Sequence, residues 1–139
     1  MYLILTLLSL IMINPAENSA AERELFIVLT SADQETQMMA MVLATQTANQ
    51  EVPVRILLCS DAGYLAIEGT ESRQFEPAGR SPKELLNSLM QRGATVEVCG
   101  IFLPNRELTQ NDLIEGIGVA SPPEVAAYMI KDSVRYFTF

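Results

Sequence analysis

Residues 81–99 read SPKELLNSLMQRGATVEVC. Ser81, Pro82, Lys83 and Glu84 have the spacing of a helix start, with a serine cap, proline at the first helical position and a glutamate that reaches back to the cap. Leu85, Leu86, Leu89 and Met90 then form one apolar stripe at i, i+3, i+4 spacing, and Gly93 stops the helix. Ala94 to Cys99 (ATVEVC) changes period and reads as a short strand ending in a cysteine. A capped helix followed at once by a short apolar strand is the unit from which α/β domains are built.

The same alternation extends in both directions. Upstream, Glu24 to Thr30 (ELFIVLT) reads as a strand, and Ser31 to Gln34 has capping-box spacing. The helix it opens runs to about Asn49, with Met38, Met39, Met41, Val42 and Ala44 as its apolar body. Pro53 to Cys59 (PVRILLC) is a second buried strand, Ser60 to Gly63 a turn, and Tyr64 to Ile67 a short helix. Residues 68–80 (EGTESRQFEPAGR) have no periodicity and read as a surface loop. Arg73, Phe75, Pro77 and Arg80 give that loop a composition that suits a protein interface. Downstream, Gly100 to Glu107 is irregular, Thr109 to Asp112 has cap spacing, and Gly116 to Ala120 is a fourth strand. Ser121, Pro122, Pro123 and Glu124 open another helix, and Val134 to Phe139 closes the chain as a strand. Five short apolar strands separated by capped helices predict a three-layer α/β/α domain on a mainly parallel five-stranded sheet.

Residues 2–13 (YLILTLLSLIMI) stand apart from this pattern. The run is uncharged, too short to cross a bilayer comfortably, and followed by Asn14-Pro15 and small residues up to Ala21. It reads as a signal peptide over residues 1–21, although no basic residue precedes it, leaving one α/β domain over residues 22–139. The expectation is a periplasmic or otherwise exported protein, soluble after cleavage and without a stable membrane anchor.

Composition narrows the chemistry. A formal charge of −8 argues against a nucleic-acid partner, which requires a basic surface. The chain has no histidine, so Ser-His-Asp and Cys-His catalysis, histidine metal sites and imidazole proton shuttles are excluded. Methionines at helical spacing read as core filler rather than a copper site, and no metal or cofactor is expected. What remains are two cysteines, each at the end of a strand, where ligands bind in open parallel sheets. Cys59 follows Ile56-Leu57-Leu58 and reads mainly as packing, with a desolvated thiol. Cys99 has the stronger case. Gly100 after it allows an unusual backbone and a close approach, a following helical turn would favour a thiolate, and Arg106 would add positive charge.

Ala94 to Gly100 (ATVEVCG), then Asn105 to Leu108 (NREL) and Asp112 to Val119 (DLIEGIGV), resemble the DsrE/DsrF-like family. The resemblance extends over Glu24 to Phe139 and implies a small α/β protein that forms trimers or hexamers, in which loop 68–80 would contact a neighbouring subunit or cover the mouth of Cys99. It also implies sulfur relay, with persulfide sulfur carried on a cysteine at the end of this strand, which maps onto Cys99. Some members have C-G-x-C here. This chain has Cys99-Gly100-Ile101-Phe102, which removes any mechanism using that pair. The expectation is therefore an exported sulfur carrier or thiol-redox protein, sulfurtransferase-like and free of cofactor, acting through Cys99 with a protein donor or acceptor. Gly100, Arg106 and Cys59 would support it, Cys59 as a resolving thiol if its strand neighbours that of Cys99. The alternative is a non-catalytic oligomeric binding module whose cysteines are buried or joined in a disulfide.

Overall fold

The computed structural model describes residues 23–139, so the expected signal segment lies outside the described residues. Five strands, β1 (Glu24–Leu29), β2 (Val54–Leu58), β3 (Thr95–Val98), β4 (Gly118–Val119) and β5 (Val134–Thr138), form one sheet in the order β4-β3-β2-β1-β5. Every pairing is parallel. Three helices connect them: α1 (Gln34–Ala48), α2 (Pro82–Gln91) and α3 (Pro122–Met129). The chain steps outward from β1 to β4, then crosses back through α3 to place β5 on the other side of β1.

The two faces of the sheet are covered unequally. Leu25, Ile27, Leu29, Val54, Ile56, Leu58, Val96 and Val98 alternate onto one face. There they pack with Ala40, Met41 and Ala44 of α1 and with Leu85, Leu86 and Leu89 of α2. On the other face a smaller cluster of Phe26, Leu57, Ala120 and Val134 meets Val125 and Tyr128 of α3. Beside that cluster, Arg55 and Glu97 pair across β2 and β3 at 2.7 Å. The Arg55 guanidinium also stacks on the Tyr128 ring, 4.6 Å from its centroid.

Helix starts follow from side-chain chemistry, with four corrections to the helical reading of the sequence. Ser81 and Glu84 form the full capping box expected of them, and at the 3-10 turn Gln110–Asp112 the Thr109 N–H and hydroxyl both donate to the Asp112 carboxylate, at 2.7 and 2.8 Å. For α1 the cap is Asp33 rather than Ser31. The Asp33 carboxylate accepts from the Thr36 N–H at 2.8 Å, while Ser31 Oγ accepts only from the Asp33 N–H. Ser121 makes no side-chain cap bond, so proline preorganisation is what opens α3. The expected short helix at 64–67 is a longer 3-10 segment, Ser60–Ala66. In α1, Met39 and Val42 face outward and are exposed, because the small Ala40 and Ala44 take the tight positions against the sheet.

Loop 68–80 lies along the outer side of α1. The Arg73 N–H donates to Gln34 Oε1 at 2.6 Å, and its guanidinium pairs with Glu35. Lys83 anchors the start of the loop by donating to Ile67 O and Thr70 O at 2.6 and 2.9 Å. Residues 75–80 bound a groove of 570 Å³ against α1.

Candidate functional site

The β2–β3 register pairs Leu57 with Glu97 and Leu58 with Val98, so Cys59 and Cys99 occupy the next rung. The ladder continues through both cysteines: the Cys59 N–H donates to Leu29 O and the Cys99 N–H to Leu58 O, each at 2.9 Å. Side chains alternate along a strand, so Cys59 lies on the face of Leu57, and Cys99 on the face of Glu97. That is the sparsely covered face beneath α3. Cys59 packs on the small cluster. Cys99 lines a 250 Å³ cleft with Leu57, Gly100, Ala120, Val125 and Met129, none of them charged. No residue of loop 68–80 lines this cleft, which leaves the loop no part in covering its mouth.

The two thiols are free and act on each other. Burial above all, then the neighbouring charge of Cys99 and a hydrogen bond with it, push the Cys59 thiol up to about 12. Cys59 therefore holds its proton across the physiological range, and Cys99 is the sulfur presented to the cleft. The arrangement is an asymmetric dithiol, with Cys99 lining the cleft and Cys59 a protonated, partly buried neighbour.

The flanking residues differ from their sequence reading. Gly100 is required for a close approach, but the approaching group belongs to the chain itself: a Cβ at Gly100 would lie 3.0 Å from Ala120 O. The Ala120 N–H donates to Val98 O at 2.8 Å, so Gly100 lets the β4–α3 junction close over the end of β3. In the turn after Cys99, the Phe102 N–H donates to Cys99 O at 2.8 Å. Arg106, expected to lend positive charge to Cys99, instead donates to Asp61 Oδ1 at 3.1 Å and lies over the Phe102 ring, 4.5 Å from its centroid. Among the described residues no hydrogen bond joins it to either sulfur. Asp61, in the 3-10 segment after Cys59, holds the opposite charge within reach, and that pairing draws the guanidinium away.

Phe102, at the position of the second cysteine in C-G-x-C, is a core plug with 1% of its surface exposed. Its ring lies flat against the Gly63 backbone and meets Tyr64 edge-on at 5.5 Å. Sequence reasoning missed Gly63. The sequence reads Gly63 as the end of a turn, where a glycine is ordinary, so nothing local marked the close packing. Ser60, directly after Cys59, has φ +49, a left-handed conformation that turns the chain sharply at the thiol. Among the described residues no three Cys, Asp or Glu side chains gather as a metal site would require.

The DsrE/DsrF-like family model matches residues 23–139, the whole described domain with both strand-end cysteines. The chain belongs to the DsrE/DsrF-like family. Two relatives are uncharacterized proteins of Methanocaldococcus jannaschii. One is 26% identical over 114 residues, covering 81% of this chain and 42% of that protein. The other is 29% identical over 115 residues, covering 81% and 96%. The chain thus spans less than half the length of the first of these. Among solved structures, the YchN protein of Escherichia coli superposes with a TM-score of 0.66 at 21% identity, covering 84% of this chain and 99% of that one. A protein of unknown function from Methanobacterium thermoautotrophicum gives 0.63 at 14% identity, covering 84% and 99%. These likenesses establish a DsrE-like α/β fold.

Proposed function

We propose that this DsrE/DsrF-like chain is a sulfur carrier that holds persulfide sulfur on Cys99. The observation that carries the reading is the place of Cys99, at the carboxyl end of a central-sheet strand and open to an uncharged cleft. The Cys99 thiolate attacks the outer sulfur of a persulfide or polysulfide donor, and the donor thiolate leaves. An acceptor thiolate then attacks the outer sulfur of Cys99–S–SH and restores the Cys99 thiolate. An apolar lining suits a sulfur chain or a protein-borne persulfide, and works against a strongly hydrated oxyanion donor. The chemistry needs neither histidine nor a cofactor.

The carrier is read as exported, from residues 2–21. No helix of the described residues is long and apolar enough to cross a membrane. Self-association is part of the proposal, supported by outward Met39 and Leu43 on α1, about half exposed at 51% and 49%, and by exposed Tyr136 and Phe137 on edge strand β5. Phe102 in place of a second cysteine favours a second reading, a binding module without sulfur chemistry. Brief treatment of the reduced protein with sodium tetrasulfide near neutral pH, followed by cyanolysis, separates the two. One equivalent of thiocyanate from wild type and none from Cys99→Ser supports the carrier, and none from either protein leaves the binding module.

A further inference from the structure

We infer that Cys59 is a resolving thiol that discharges sulfur left on Cys99 as sulfide, giving the carrier a second, reductive activity. This rests on the persulfide reading of Cys99. Both cysteines end adjacent parallel strands on the same rung, with their side chains close enough to hydrogen-bond. Neighbouring strands lie about 4.7–4.9 Å apart, inside the roughly 4.4–6.8 Å Cα separation that a disulfide spans. Each backbone is fixed by a ladder hydrogen bond, so the two sulfurs are held together by the sheet rather than by a mobile loop. The missing cysteine at Phe102 removes the nearby thiol that C-G-x-C would supply, and the neighbouring strand supplies one instead.

In the step, Cys59 Sγ attacks Cys99 Sγ of the persulfide. The Cys59–Cys99 S–S bond forms, the bond from Cys99 to the outer sulfur breaks, and its electron pair leaves with that sulfur as hydrosulfide. The proton lost by Cys59 converts hydrosulfide to hydrogen sulfide. The two cysteine sulfurs are oxidised to a disulfide and the sulfane sulfur is reduced to sulfide, so the step needs no outside oxidant. An external thiol reductant then returns the disulfide to two thiols. Among the described residues, Cys99 is the one ionisable group acting on Cys59, whose thiol stays protonated in its buried setting. Discharge is accordingly slow near neutral pH, which leaves time for delivery to an acceptor.

The test loads reduced wild type, Cys59→Ser and Cys59→Ala with sodium tetrasulfide near neutral pH. Excess reagent is removed, the loaded proteins are kept near neutral pH without added thiol, and free sulfide and intact mass are followed over time. Wild type is expected to release one sulfide per chain and to pass from a one-sulfur adduct to a mass two hydrogens below the reduced chain. Both Cys59 variants should take up one sulfur per chain on Cys99, which also reports intact folding, and keep the adduct without releasing sulfide. A wild-type adduct as long-lived as that of Cys59→Ser overturns the resolving role and leaves the carrier standing. Failure of every protein to take up sulfur removes the carrier reading, and the inference with it.

Discussion

Gly63→Ala should be among the most damaging single-methyl additions in this protein. A Cβ at residue 63 would lie 2.2, 2.4 and 2.6 Å from Phe102 Cε2, Cδ2 and Cζ. Ordinary carbon contacts are about 3.5–4.0 Å, so the ring has to move by more than about 1 Å. It has little room to do so, because Tyr64 meets the ring edge-on and Arg106 lies over it, itself held by Asp61. Overpacking of a close-packed site costs about 1–3 kcal/mol, and a fixed ring with this overlap belongs near the upper end, at about 2–3 kcal/mol. For a domain of this size that lowers the melting temperature by roughly 8–12 °C. Thermal and urea unfolding of Gly63→Ala, Phe102→Leu and the double variant would measure it. The narrower leucine relieves the overlap, so the double variant should be more stable than the sum of the two single losses by about 1 kcal/mol. A Gly63→Ala variant within about 0.5 kcal/mol of wild type would refute the packing argument.

Three further outcomes follow from the other face of the sheet and from the thiols. Arg55→Met leaves the Glu97 carboxylate, only 15% exposed, without its partner and should cost about 2–4 kcal/mol in urea unfolding, while adding Glu97→Leu should recover much of that loss. The Glu24 carboxyl is held below its ordinary value chiefly by the Tyr128 hydroxyl, which donates to it at 2.7 Å. That contribution is present above the unfolded carboxyl value and is lost as pH falls through the lower folded value, so Tyr128→Phe should flatten the acid-side loss of stability. Superimposable acid profiles of the two proteins would contradict this. In alkylation near neutral pH, Cys99→Ser should label at least about tenfold more slowly than wild type, because the remaining thiol, Cys59, is protonated. Cys59→Ser should label like wild type, and fast labelling of Cys59 would reverse the assignment.

Local chemistry made much of the fold legible. The Ser81–Glu84 box, the leucine stripe of α2 and the β-forming runs are each self-contained in a few residues, and the structure keeps them within a residue or two. Ser31 and Asp33 are both cap-type residues, and only the direction of the Asp33 carboxylate decides between them. The inward face of α1 was obscured because apolar residues surround the helix. The strand order could not be read from any local window, since the pairing of β5 with β1 depends on the crossover through α3. The same limit governed the site. Cysteines at strand ends were visible in the sequence, but their adjacency required β2 beside β3. The charge assigned to Arg106 went to Asp61, which is distant in sequence and close in space. The Gly63–Phe102 contact was hidden for the same reason.

The most direct test of the account is to locate the sulfur. Reduced wild-type protein exposed briefly to sodium tetrasulfide near neutral pH, alkylated and digested, would be mapped by tandem mass spectrometry. The account predicts the extra sulfur on the peptide carrying Cys99, with Cys59 recovered as a free thiol or, in discharged chains, joined to Cys99. Sulfur found on Cys59 while Cys99 stays unmodified, or on neither cysteine of the folded protein, would contradict it.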